Sequence, residues 1–271
     1  MQRSGRPEPE DVRRRRRAWA SGSRLLLAGT VLALAASVLV ACLPGGTAVL
    51  GLGAESIVTD LPTSLPTDPA LPRQVPASRT KIVVLGDSIS TGFRTSAQAS
   101  WPNVMVQDLA RAGVGVTVIN GAQNGAGYVE PGSADLPFDA QARAAVVPDA
   151  DVVLVFGSEN DRGQDPGRIS TKAGETIAVI RDKAPAARIL LIGPASYTPV
   201  IDPQLAVIRD AIASAAQSAG VTFVDPIQLQ WIMGQADTLI GPDADHPTVR
   251  GHEYLAAMMS GLVRPLIPRG K

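Results

Sequence analysis

The stretch Lys81-Ile82-Val83-Val84-Leu85-Gly86-Asp87-Ser88 decides the fold. An unbroken aliphatic run stops at Gly86, and Asp87 and Ser88, residues that favour turns and helix starts, follow at once. A strand that is apolar at successive positions, rather than at alternate ones, is buried on both faces. Val114 to Ile119, Asp151 to Phe156, Arg188 to Ile192 and Val221 to Val224 read the same way. The longer amphipathic stretches between them predict helices at about 100–112, 138–146, 168–184, 203–219 and 249–264. Alternation of strand and helix predicts an α/β fold, a parallel sheet covered by helices on both faces. The roughly 190 residues from Thr80 to the end are an ordinary size for one such domain.

Upstream of this domain the sequence changes character. Residues 1–24 form a basic segment that includes the five arginines Arg13 to Arg17, followed by Arg24. Leu25 to Leu43 is a run of 19 uncharged, mostly apolar residues, and no charge appears again until Glu55. Such a run is long enough to span a bilayer, and arginines before it hold that end in the cytoplasm. Residues 25–43 are therefore expected to be a signal or membrane-anchor helix, with everything after it outside. Cys42, in Leu39-Val40-Ala41-Cys42, resembles the lipobox of bacterial lipoproteins, in which the cysteine is lipidated. Lipid attachment at Cys42, an uncleaved single-pass anchor and cleaved secretion all place the domain at or beyond the extracytoplasmic face of the cell membrane. Residues 44–79 carry Pro62, Pro66, Pro69, Pro72 and Pro76 and read as an extended linker. Residues 80–271 are the globular domain.

Composition narrows the chemistry. Residues 1–24 hold eight of the 25 basic side chains and three of the 25 acidic ones, so residues 25–271 carry 17 against 22 and a net charge of −5. A mildly acidic body argues against nucleic acid as a partner. One cysteine rules out an intramolecular disulfide framework and a Cys-rich zinc site. The only histidines are His246 and His252, so a mechanism that uses imidazole uses one of these.

In an open parallel sheet, ligands bind beyond the carboxyl ends of the strands. Four such places hold polar clusters: Gly86-Asp87-Ser88, Asn120 to Gly125, Gly157 to Asp161, and Asp243-Ala244-Asp245-His246-Pro247 ahead of the last helix. Each alone is ordinary turn or cap chemistry. Together they complete one another. A serine hydroxyl attacks only when a base takes its proton, and Ser88 and His246 supply the pair. The imidazole requires a partner to fix its tautomer; Asp243, three residues earlier on a tight turn, can reach back to it, whereas the adjacent Asp245 is expected to point away. The backbone N–H groups of Ser88 and Gly125 and the side-chain amide of Asn160 would stabilise an oxyanion.

These blocks resemble the SGNH/GDSL hydrolase family over most of residues 80–265. Gly86-Asp87-Ser88 is similar to its first block, Asn120 to Gly125 to the second, Asn160-Asp161 to the third and Asp243-x-x-His246-Pro247 to the fifth. Thr91-Gly92-Phe93-Arg94-Thr95-Ser96-Ala97 with Trp101-Pro102 resembles the bacterial thioesterase–lysophospholipase–arylesterase branch. In one departure, Ser158 stands two residues before Asn160, where the family usually has glycine. The resemblance implies a three-layer α/β/α sandwich with a five-stranded parallel sheet, flavodoxin-like in layout. It also implies hydrolysis of carboxylic esters through a Ser-His-Asp acyl-enzyme, with no metal or organic cofactor.

The substrate expected is a small-molecule or glycan ester: O-acetyl groups of envelope polysaccharide, or short-chain lipid or lysophospholipid esters. An acyltransferase on envelope glycans would use the same residues, and a non-catalytic envelope binding protein could share the fold. His252, within the last helix, reads as structural or surface, and Asp87 and Asp161 as loop-fixing residues. Trp101 is expected to pack over the first helix, and Glu159 and Arg162 to be solvated loop charges.

Overall fold

The computed structural model describes residues 79–157 and 159–267. The basic segment 1–24, the apolar run 25–43, the linker as far as residue 78, and Ser158 lie outside the described residues. Among the described residues no helix is long and apolar enough to cross a membrane.

Five strands form one parallel sheet in the order β2-β1-β3-β4-β5. They are β1 (Thr80–Gly86), β2 (Val116–Asn120), β3 (Val152–Phe156), β4 (Arg188–Ile192) and β5 (Thr222–Val224). In register, Val83 of β1 faces Ile119 of β2 and Val153 of β3, and Leu191 of β4 pairs with Val155 and Phe223. Successive strand residues serve opposite faces, as the pleat dictates. Val83, Leu85, Val153, Val155, Ile189 and Leu191 face α3 (Phe138–Ala145), α4 (Pro166–Lys183) and α5 (Pro203–Ala219). Ile82, Val84, Val152, Leu154, Phe156 and Ile192 face α2 (Trp101–Arg111) and α7 (Val249–Val263). The result is the three-layer α/β/α sandwich. Every residue of β3 is buried, which is why its sequence shows no polar alternation.

The chain leaves β1 for β2 on one side and later returns past it to β3 on the other. This reversal opens a crevice beyond the carboxyl ends of β1 and β3, the usual place for a ligand in such sheets.

Element boundaries differ from the sequence reading in a few places, each with a local cause. β2 begins at Val116, not Val114, because the Val114 N–H closes the end of α2 by donating to Leu109 O (2.8 Å). Helix α4 begins at Pro166, two residues early, because Asp165 caps it and accepts from Arg168 N at 2.9 Å. Two short helices, α1 (Ser88–Thr91) and α6 (Ala236–Leu239), are too brief to show a periodicity.

Candidate active site

The turn after β1 is built to hold a serine. A Cβ on Gly86 would lie 2.7 Å from Ser90 Oγ and 3.0 Å from Phe156 O, so α1 and β3 can approach the end of β1 this closely only at glycine. Buried Gln141 fixes the same residue: Gly86 N donates to its Oε1 and its Nε2 donates to Gly86 O, both at 3.0 Å. Asp87 caps α1, accepting from Ile89 N at 2.9 Å. Ser88 is therefore the first residue of α1, at the carboxyl edge of the sheet.

The partner loop comes from the far end of the chain. Ile240 and Pro247 form an antiparallel bridge, and Gly241 N donates to His246 O at 2.8 Å. Within this loop Ala244 takes a left-handed conformation, φ 57°. That bend turns Asp243 back toward His246, whose N–H donates to Asp243 Oδ1 at 3.1 Å. The ring Nδ1 lies 2.9 Å from Asp243 Oδ2, and Nε2 lies 3.0 Å from Ser88 Oγ. The hydrogen bonds from the backbone and then the ring of His246 hold the Asp243 carboxyl down at about 2, so it is ionised throughout the neutral range. The structure thus brings Ser88, His246 and Asp243 into one hydrogen-bonded chain across 158 residues.

Asp245 does not point away from the ring as expected. Its Oδ2 lies 3.5 Å from His246 Nδ1. The left-handed bend at Ala244 is the reason, since it brings both flanking carboxylates to one side of the loop. Tyr197, from the segment after β4, donates to Asp245 O at 2.9 Å.

The loops after β1, β2 and β3 are tied together beside Ser88. Gln123 N donates to Gly86 O at 3.0 Å, and Thr91 Oγ1 lies 2.6 Å from Asn124 Oδ1. Gly125 sits in the left-handed region at φ 74°, which its lack of a Cβ permits. Asn160, on a single 3₁₀ turn after β3 (Glu159–Asp161), donates from Nδ2 to Ala126 O at 2.9 Å and approaches Asp87 Oδ2 at 3.4 Å. Asp161 is buried and accepts from the N–H groups of Tyr128, Val129 and Glu130 at 2.8–2.9 Å, so it fixes the loop rather than facing the crevice.

Other residues singled out in the sequence have structural partners of their own. Trp101 is fully buried and donates from Nε1 to Ser90 Oγ at 3.1 Å. Glu159 is half-buried and not the solvated loop charge expected, because it pairs with Arg162 at 2.7 Å; burial, followed by its hydrogen bond to Asp245, raises its carboxyl to about 7. Among the described residues there is no group of three or more His, Cys, Asp or Glu side chains arranged for a metal ion.

His252 is fully buried on α7, and neither ring nitrogen has a hydrogen-bond partner. Burial lowers its pKa from 6.5 to about 4, with the nearby His246 adding to the effect. The unfolded chain therefore binds this proton first, and stability falls as pH drops from about 6.5 and levels off below about 4. The full effect is on the order of 3 kcal/mol. Denaturant unfolding of wild type and His252→Met at pH 7 and pH 4.5 is expected to show that wild type loses about 2 kcal/mol more than the variant over this interval. Equal losses in the two would mean that His252 is protonated in the fold.

Comparison with known proteins shows the family and the fold. The model of the GDSL-like lipase/acylhydrolase family matches residues 84–254. A GDSL lipase of Mycobacterium tuberculosis is 36% identical over 187 residues, covering 67% of this chain and 80% of that protein. The crystal structure of TesA superposes with a TM-score of 0.56 at 22% identity, over 69% of this chain and 99% of the other. A family two carbohydrate esterase from Clostridium thermocellum, solved with cellohexaose, gives a TM-score of 0.55 at 18% identity over 70% of this chain and 65% of that one.

Proposed function

The chain belongs to the GDSL-like lipase/acylhydrolase family and is a serine ester hydrolase of the SGNH type, and from that premise we propose that it is an extracytoplasmic esterase acting through a Ser88–His246–Asp243 acyl-enzyme. The observation that carries this reading is the position of His246, 3.0 Å from Ser88 Oγ on one side and 2.9 Å from Asp243 Oδ2 on the other. Ser88 Oγ attacks the ester carbonyl while His246 Nε2 takes its proton. Asp243 accepts from Nδ1–H, fixing the tautomer and stabilising the imidazolium. The tetrahedral oxyanion is held by Ser88 N–H, Gly125 N–H and Asn160 Nδ2, the amide turning one hydrogen from its long contact with Asp87. Collapse expels the alcohol, which takes the proton from Nε2. A water, deprotonated by the same nitrogen, then attacks the acyl-enzyme, and the acid leaves with Ser88 restored.

If Asn160 has this role, its loss acts on the transition state more than on binding. Asn160→Ala is expected to lower kcat by about 10²–10³ with little change in KM. Wild-type turnover in the folded variant would place the oxyanion donors elsewhere.

For the substrate, we favour an O-acetyl group on an envelope glycan over a lipid ester. A cavity of about 460 Å³ adjoins His246, and Arg94, Thr95, Asp243 and Thr248 bring polar groups to a lining that Pro242 and Pro247 make largely apolar, room for a sugar alcohol or a short acyl chain. The carbohydrate esterase with the similar fold is consistent with this choice. The basic segment, apolar run and proline-rich linker support a tethered domain outside the membrane. The test is a panel of acyl-length esters and acetylated glycans, given to the purified full chain in detergent and to intact cells. The expected result is fastest release of acetate from glycan, by intact as well as lysed cells. Preference for long acyl chains, or activity on glycan only after lysis, would refute the substrate or the location respectively.

A further inference from the structure

Serine and base belong to opposite ends of the domain, yet the residues just after the serine reach the base a second time. Phe93 N donates to Ser88 O at 3.2 Å, which ties this segment to the nucleophile's turn. The Phe93 ring meets the His246 ring edge-on at 4.9 Å between centroids. Arg94 places its Cζ 5.0 Å above the Phe93 ring and its Nε 3.4 Å from Asp243 Oδ2, the same oxygen that faces His246 Nδ1. Arg94 does this from a left-handed backbone, φ 68°, a conformation that a long side chain adopts only when its surroundings impose it.

The Arg94 side chain is 65% exposed, and an exposed ion pair adds little to stability. Its position matters for another reason: it meets the carboxylate oxygen that faces the base. Two carboxylates face His246 Nδ1 from its own loop, Asp243 at 2.9 Å and Asp245 at 3.5 Å. Glu159, after β3, adjoins Asp245 and is itself paired with Arg162. Tyr197, after β4, contributes a neutral hydroxyl, and His252, on α7, is uncharged near neutrality. Arg94 is the cation that contacts this cluster at Asp243.

We propose that Phe93 and Arg94 are positioning residues for the base: Phe93 fixes the plane of the His246 ring, and Arg94 offsets the carboxylates so that the imidazole stays free to accept the serine proton. This inference rests on the Ser88–His246–Asp243 reading and adds to it a pH dependence. Removing the cation favours the protonated ring, so more alkaline solution is required to free the base.

The test is the pH profile of kcat/KM on a short-chain p-nitrophenyl ester for wild type, R94M and R94K, with folding checked by thermal melts. In R94M the midpoint of the acid limb is expected to rise by about half to one pH unit, with plateau kcat about tenfold lower. R94K keeps the charge, so its midpoint is expected within about 0.2 unit of wild type even if kcat falls. R94Q repeats the neutral variant should R94M melt early. An unchanged midpoint in the neutral variants, or an equal shift in R94K, would overturn the proposal. Ser88→Ala and His246→Ala, run alongside, separate the two readings: if either is active the base assignment itself fails, and if both are inactive an unchanged midpoint counts against Arg94 alone.

Discussion

Replacing Ser88 by alanine is expected to lower turnover by roughly 10³–10⁶. The size follows from the chemistry, not from packing. In the proposed mechanism no acyl-enzyme forms without Oγ, and what remains is water attack on an ester held beside the proposed oxyanion donors. The substitution is gentle on the fold. Ser88 contributes its backbone to α1, whose cap is the side chain of Asp87, and Oγ itself bonds to His246. The variant should therefore melt within a degree or two of wild type and bind substrate with a similar KM. The measurement is steady-state hydrolysis with protein from a strain lacking other esterases. Loss of activity together with loss of cooperative unfolding would mean that the effect is structural.

The second large effect is at His246. His246→Ala is expected to cost about as much as Ser88→Ala, because a nucleophile and its base act as a unit and their losses do not add. The double variant should therefore be little worse than either single one. Asp243→Ala is expected to cost less, about 10²–10⁴. Asp245 Oδ2, at 3.5 Å from Nδ1, can take over part of its role. His252→Met is the control: its ring is buried with no hydrogen bond and lies outside the proton path, so activity at pH 7 should survive. Activity in folded His246→Ala, or its loss in folded His252→Met, would reverse the assignment of the base.

Much of this arrangement was readable in the sequence, and the reason is physical. A strand buried on both faces has no polar position, so Ile82 to Leu85 and Val152 to Phe156 stand out without help from periodicity. Strand ends in a parallel sheet converge on one edge, so polar clusters after successive strands had to be neighbours. The pairing of Asp243 with His246 followed from a spacing of three on a turn.

What the sequence concealed depends on backbone conformation or on distant contacts. The left-handed bend at Ala244 has no sequence signal, since alanine rarely adopts it, and it is this bend that brings Asp245 to the ring. Arg94 was visible only as part of a family-like stretch. Its contact with Asp243 joins residues 149 positions apart, which no local pattern encodes. His252 read as an ordinary helical histidine; its burial with both nitrogens unpaired depends on how α7 seats on the sheet. Ser158, the departure from the usual third block, is outside the described residues.

The central claim is a covalent intermediate on Ser88. It is tested most directly by intact-mass and peptide mapping after exposure to a fluorophosphonate ester. The expected result is one adduct per chain, on the peptide containing Ser88, absent in Ser88→Ala and formed far more slowly in His246→Ala. An adduct on any other residue, or equal labelling of Ser88→Ala and wild type, would contradict it.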